Sequence, residues 1–323
     1  MTKSGFTIIP FDSSDEAYQK LYTLENSLDY HIKDWGTVEM LKYHASLIPE
    51  KCKPETNFLS LNNEVFGYGY TSHQEWAFDP TLLDSNISFP REEKYLPYVQ
   101  EYLEYQISVA RKMEQVKTFR AWLWHGDNFF KDFYKQNGFE ISITEYVSLI
   151  SLQDFKIKSF DKYVSRFKES PLEISTLKKL QKIHANWEEK LYDLWHRIVK
   201  DVPMDNIEPG EDINSWRTHL FTPWFKYEDL YIVIDGEQWI ALSSYNRSDV
   251  TNDTVSTELT GVLPEYRHKG ICMAVKLFAL DDLKKKGFKK VFTGNEANNP
   301  MFQINLKLGF QKIATEMGCK IYI

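Results

Sequence analysis

The segment Gly261-Val-Leu-Pro-Glu-Tyr-Arg267-His-Lys-Gly270-Ile-Cys272-Met-Ala274 leads out of an alternating run, Thr254 to Val262, and into a helical run from about Gly270 to Lys286. A glycine-containing loop that opens a helix offers an anion site. Successive backbone N–H groups point outward there, and the helix dipole favours negative charge. Gly270 predicts a backbone that approaches a phosphate where a Cβ would not fit. Neither Gly-x-Gly-x-x-Gly nor the Walker A spacing is present, which disfavours the nucleotide folds those motifs mark. From Arg267 to Lys290 eight Lys or Arg residues stand against Asp281 and Asp282, a local net of +6 in a chain of net −7. For Lys284, Lys285 and Lys286 a plainer reading is a solvated helix end whose cations suit the dipole.

Working outward, Leu172 to Ile174 starts a strand, and Leu177 to Val199 keeps helical spacing through Leu180, Ile183, Trp187, Leu191, Leu194 and Ile198. Leu230 to Ile234, Asp235-Gly236 and Gln238 to Tyr245 predict a hairpin with a type I′ turn. Beyond Gly287 come a strand at Lys290 to Thr293, a short helix ending at Gly309, and a strand from Gln311 to Ile323. The first half shows the same order. Phe6 to Phe11 reads as a strand, Ser13 or Ser14 as a cap, and Ala17, Leu21, Leu24 and Leu28 as a helix. A second helix at Val38 to Ile48 and a hairpin about Asn62-Asn63 follow, then a strand at Asn86 to Phe89 and a helix from Leu96 to Met113. A strand at Lys117 to Trp124, a short helix through Phe129 to Lys135 stopped by Gly138, and strands over Ile141 to Leu152 close this half.

Asp127-Asn-Phe-Phe-Lys-Asp-Phe-Tyr134-Lys-Gln-Asn-Gly138-Phe139 aligns with Asn298-Asn-Pro-Met-Phe-Gln-Ile-Asn305-Leu-Lys-Leu-Gly309-Phe310. A repeat of about 160 residues points to a duplicated domain rather than a solenoid. The joint falls in the charged, weakly patterned stretch Gln153 to Glu169, giving domains 1–152 and 153–323.

The 323 residues agree with about two domains. An aromatic content of 15% separates the chain from disordered ones. A mean hydropathy of −0.46 without an 18-residue apolar run predicts no membrane span, and no signal peptide is read at the N-terminus. Cys52, Cys272 and Cys319 form neither a disulfide framework nor a zinc pattern, which fits a cytoplasmic protein. The acidic total argues against nucleic-acid binding. The eight histidines show no metal-ligand spacing, and no Ser or Cys–His hydrolase signature appears.

Val262-x-Pro264-Glu265-Tyr266-Arg267-x-Lys269-Gly270-Ile271, followed by a helix, a strand and Asn298 through Leu308-Gly309-Phe310, resembles the acetyl-CoA site of a GNAT superfamily N-acetyltransferase. The family loop is Arg/Gln-x-x-Gly-x-Gly/Ala, and here Cys272 takes the last small position. The wider pattern is similar to tandem-domain members, the mycothiol synthase-like group. The resemblance implies an α/β fold, more fully an α+β mixed sheet. Two tandem domains would each hold a mixed, mostly antiparallel sheet flanked by helices.

For function, the resemblance implies acetyl-CoA in a split between the strands at Val262 and Val291. Gly261, Val262 and Leu263 would pair with its pantetheine arm, and Arg267, His268, Lys269, Gly270, Ile271 and Cys272 would cradle its pyrophosphate. Asn298, Met301 and Asn305 would line the cofactor arm. The amine of a small molecule would attack the thioester directly in a ternary complex, with a backbone N–H near Leu263 on the developing oxyanion. Glu258 is the candidate base, acting through water, or else a surface-facing strand residue. The family's usual acid is a Tyr four residues before the Gly-Phe pair; Asn305 stands there and has no proton to give. Tyr245 and Tyr266 are the substitutes. Asp201, Asp205, Trp216 and Trp224 suit a cationic acceptor, or else cap turns and fill a core.

In the first half Tyr134 holds the Tyr position, but Ser88 to Pro97 has no Gly, and Glu92 and Glu93 would repel a pyrophosphate. That half is expected to keep the fold without the cofactor. The implied partners are a small amine and no nucleic acid or membrane, in a monomer or homodimer. The alternatives are a non-catalytic acetyl-CoA-binding or sensing protein and a mycothiol synthase-like acyltransferase.

Overall fold

The computed structural model describes residues 5–28, 36–75, 78–123, 128–203, 212–247 and 253–323. In the first half, β1 (Phe6–Pro10) precedes α1 (Asp15–Ser27), capped by Ser14, whose hydroxyl accepts from the Ala17 N–H at 3.1 Å. After α2 (Val38–Leu47), β2 (Glu55–Leu61) and β3 (Glu64–Ser72) form a hairpin. Asn62 and Asn63 have φ of 52° and 71°, the left-handed pair that a type I′ turn requires. Then come β4 (Leu82–Ser88), α3 (Leu96–Ala110), β5 (Thr118–Leu123), α4 (Asn128–Gln136) and β6 (Glu140–Ser151).

The second half contains α5 (Asp161–Lys168), β7 (Glu173–Thr176), α6 (Leu177–Leu180), α7 (Trp187–Val199), α8 (Ile213–Leu220), β8 (Leu230–Asp235), β9 (Gln238–Arg247) and β10 (Thr254–Val262). It continues through α9 (Ile271–Lys285), β11 (Lys290–Glu296), α10 (Pro300–Leu308) and β12 (Gln311–Tyr322). The class is therefore mixed α/β, as read from the sequence.

The chain divides into two compact units. One contains Met1–Glu145 and Ala314–Ile323, the other Tyr146–Met204 and Pro209–Ile313. Compared with the expected division at 152/153, the boundary falls within β6, and the end of β12 belongs to the first unit. Burial explains both shifts. Ile150 and Leu152 enter the core of the second unit, whereas Met317 and Cys319 enter that of the first. In the first unit the strand order is β1-β2-β3-β4-β5-β12, antiparallel except for β4 and β5. In the second it runs β7-β8-β9-β10-β11, antiparallel except for β10 and β11. A parallel pair needs a crossover, and α3 and α9 supply them.

Two elements depart from the sequence reading. The helix expected over Leu177 to Val199 is two, α6 and α7, because the chain turns between them and leaves Ile183 72% exposed. The joint contains α5, whose Phe167 packs on Phe278 of α9 at 5.8 Å between ring centroids. Helix α9 is the central core element. Val275, Leu277, Ala279 and Leu280 are fully buried, and a leucine so buried contributes about 1.5–3 kcal/mol. On β10, a Cβ at Gly261 would lie 2.1 Å from Ile198 Cγ2 on α7, so this glycine admits α7 to the sheet.

Candidate functional site

Strands β10 and β11 pair only from Thr254↔Lys290 to Ser256↔Phe292. Beyond that point β10 stays with β9 alone, and its register shifts between Thr257 and Thr260. This bulge turns the strand and leaves the edge of β10 that faces away from β9 open. The Leu263 N–H donates to Ile240 O at 2.9 Å, so it is committed to the sheet and cannot serve an oxyanion. Strand alternation then turns the Val262 amide to the open edge, where its carbonyl accepts from Arg267 Nε at 3.1 Å.

The loop that follows makes one 3-10 turn at Pro264–Tyr266, and the Arg267 N–H closes it on Pro264 O at 3.2 Å. His268 and Gly270 then take left-handed φ of 61° and 82°. Gly270 caps α9 with no side chain to satisfy the first-turn amides. Among the described residues, the amides from His268 to Cys272 have no backbone acceptor. Left-handed residues next to an uncapped helix start form a concave set of donors suited to an anion. A Cβ at Gly270 would meet nothing within 4 Å, so the glycine is required by its φ and the space before it is open. A cavity of about 300 Å³ adjoins it, lined among others by Tyr163, Arg166, Tyr266, Lys269 and Ile271. Lys269 Nζ lies 4.9 Å from the Tyr266 ring centre, and Tyr266 donates its hydroxyl to Asp235 Oδ2 at 3.0 Å. That carboxylate partner raises the Tyr266 pKa.

Glu258 lies within the bulge and accepts from Asn246 Nδ2 at 2.5 Å. Glu258 is solvent-exposed, as the surface-facing alternative has it, and partial desolvation of the carboxyl by the strand around it raises its pKa. Tyr245 is 1% exposed, receives a hydrogen bond from Ser243 Oγ at 3.0 Å, and packs on Tyr231. Burial raises its pKa, so this tyrosine is a core group rather than a ready acid. Asn298 is tied to Glu296 by its amide N–H at 2.8 Å and by Nδ2 at 3.0 Å, and Asn299 is the residue that caps α10. Asn305 is fully buried and donates from Nδ2 to Asn295 Oδ1 at 2.7 Å. Met301 Sδ meets Cys272 Sγ at 3.6 Å.

On the expected acceptor side, Asp201 forms a partly exposed ion pair with Arg267, so two residues expected to hold different parts of the ligands meet each other here. Trp216 is 2% exposed among Tyr192, Trp195 and Phe221, a core position. Trp224 is half-buried. Asp205, like Trp124 and Asp127 of the first half, lies outside the described residues. Sequence reasoning missed Tyr163 and Arg166, brought to the cavity by α5, and read Lys276 only as one more charge of a basic segment. Lys276 is fully buried, which no local pattern announces.

The first unit differs at the same places. Tyr134 is buried against Phe133 and Phe139, a packing role, and Phe119, Phe130 and Phe133 belong to the core. Beside the start of α3 a groove of about 600 Å³ carries Glu93 and Asp132.

No protein-family model and no curated protein matches the chain. Solved structures do. A tandem GNAT protein from the clavulanic acid biosynthesis pathway superposes with a TM-score of 0.71 at 12% identity, over 98% of each chain. A GCN5-related N-acetyltransferase from Sphaerobacter thermophilus gives 0.66 at 11%, over 100% of this chain and 97% of that one. A third likeness, 0.69 at 13%, is to a fungal multi-domain β-N-acetylglucosaminidase said to contain a GCN5-related glucosamine N-acetyltransferase region. It covers 99% of this chain and 38% of that one. The chain thus has the fold of the GCN5-related N-acetyltransferases. It has that fold in its tandem form, along its whole length.

Proposed function

We propose that the chain is an acetyl-CoA-dependent N-acetyltransferase acting on a primary amine of a small molecule, with its active site in the second unit. The observation that carries this reading is the parting of β10 from β11 beside the unpartnered amides at the start of α9. Such a wedge takes an extended arm along the free edge of β10, while the amides of His268 to Cys272 take the pyrophosphate. At the cavity Arg166 and Lys269 outnumber the one carboxylate among the described residues lining it, Asp235, which Tyr266 binds.

When bound, acetyl-CoA supplies a thioester carbonyl open to attack. The free edge of β10 orients it, and orientation in a ternary complex removes much of the entropic barrier. The Val262 N–H is the donor set to stabilise negative charge on that carbonyl, the task expected of Leu263. Glu258, its carboxyl raised, takes the proton of the incoming amine directly or through water. The three free cysteines suit a reducing cytoplasm, and a monomer or homodimer is enough for this chemistry.

Calorimetry with acetyl-CoA tests the cofactor. Binding is expected for the wild type and loss for Gly270→Trp, which forces a bulky side chain into left-handed backbone and into the cradle. No binding by the wild type, or unchanged binding by the variant, overturns the assignment. An amine panel followed by CoA release then identifies the acceptor. A second reading, an acetyl-CoA-binding or sensing protein, is favoured by Asn305, which has no proton to give a leaving thiolate. Binding without turnover across the panel would select it.

A further inference from the structure

Lys276 is fully buried on α9, and its Nζ has no hydrogen-bond partner among the described residues. The Phe310 ring offers its face to the cation, 5.6 Å from Nζ to the centre. An ammonium in a dry interior is costly unless paired, and a methionine would fill the same space without that cost. Such a lysine makes sense where a negative partner arrives and leaves.

Its neighbours show where that partner would sit. Cys272, one turn earlier on α9, touches Met301 of α10. The Phe310 N–H donates to Asn305 O at 3.0 Å, which sets the ring under Lys276 at the end of α10. Asn305 in turn holds Asn295 on β11, past the last residue paired with β10. Three of the elements about the wedge each hold one buried polar atom without a partner among the described residues: Thr257 Oγ1 on β10, Lys276 Nζ on α9 and Asn305 Oδ1 on α10.

We propose that Lys276 is the catalytic acid of the second unit, giving its Nζ proton to the departing sulfur in place of the tyrosine missing at Asn305. This rests on the acetyl-CoA reading above. As the C–S bond breaks, its electron pair stays on sulfur, the Lys276 proton goes to that sulfur, and the neutral amine regains a proton from solvent admitted when the thiol departs. The acceptor nitrogen loses its own proton toward Glu258, so the products are an amide and a free thiol. Burial brings the Lys276 pKa down to about 8, near the pH at which proton transfer is efficient. The titratable group whose charge acts on it is Cys272, itself pushed up to about 11 by burial and within reach of Tyr245 on β9. Asn305 and Met301 on α10 and Thr293 and Asn295 on β11 do not titrate near neutral pH.

The test uses CoA itself as the probe and needs no acceptor. The bound thiol is titrated by thiolate absorbance in the wild type and in Lys276→Met, with calorimetry for affinity. In the wild type the thiol is expected to ionise at lower pH than in free CoA, by about one unit, a tenfold gain in thiolate. In Lys276→Met the gain disappears while affinity for CoA at neutral pH stays within about twofold. An unshifted thiol in the wild type overturns the proposal without any variant. So does an equal shift in both proteins. Failure of the wild type to bind CoA removes the acetyl-CoA reading instead, and the proposal with it.

Discussion

In both units a parallel strand pair is joined through one helix, and the two openings differ residue by residue. At the third paired position the second unit has Ser256 opposite Phe292, and the strands part there. The first unit has Asp84 opposite Arg120, joined at 2.6 and 2.9 Å, and the pairing runs on to Ser85↔Ala121. Past the opening, the second unit presents His268 and Gly270 in left-handed backbone before an uncapped helix. In the first, Phe89 fills the place with its ring against Phe129 and Phe130, Glu92 and Glu93 follow, and Pro97 removes a first-turn donor from α3. One fold thus makes an open wedge in one copy and a stapled core in the other. The difference between the openings lies in these few residues, not in the architecture.

The comparison breaks most sharply at the staple. Asp84→Ala removes the carboxylate that buried Arg120 is bonded to, an expected loss of about 3–5 kcal/mol in urea unfolding. Acetyl-CoA affinity should not change, and a parallel loss of affinity would show that the two openings are not independent. In the second unit, Glu258→Gln is expected to lower the rate about 100-fold. A base works when deprotonated, so the wild-type rate rises with pH through the raised carboxyl pKa; the variant should lack that rise. A retained rise would take Glu258 out of the mechanism.

Gly270→Ala adds strain of roughly 1–3 kcal/mol at a φ of 82°, which predicts about tenfold weaker acetyl-CoA binding by calorimetry. Removing charge from the first unit, by Glu92→Ala with Glu93→Ala, should create no second site, since Pro97 and Phe89 remain. A modest effect concerns Glu25, 4% exposed, whose carboxyl is pushed up to about 8 by burial. The folded state therefore holds a proton that the unfolded chain gives up near 4.5, and stability falls as pH rises between those values. Glu25→Gln should melt like the wild type at pH 5 and a few degrees higher at pH 9; equal melting at both would refute this.

Much of the wedge was legible because its signals are local. The loop carries Gly270 between a strand and a helix, and Asn62-Asn63 and Asp235-Gly236 mark their turns by residue type. What escaped depends on partners far along the chain. The ion pair of Arg267 with Asp201, a distant residue, could not be read from the loop alone. The break after α6 was hidden because Leu180, Ile183 and Trp187 keep helical spacing while Ile183 faces solvent. Helix α5 looked like a linker because a face built around Phe167 shows only when α9 receives it. Lys276 could be counted as a charge, but its burial comes from the packing of α9 and α10.

The terminal segment Ala314–Ile323, paired along β5, bears on how the chain matures. A ribosome makes the first unit's other strands long before it reaches β12. Until then the open edge of β5 stays available for pairing with another chain. The first unit to be synthesised is thus the last to close, and shortening the chain at its C-terminus would injure the half that lies at the opposite end of the sequence.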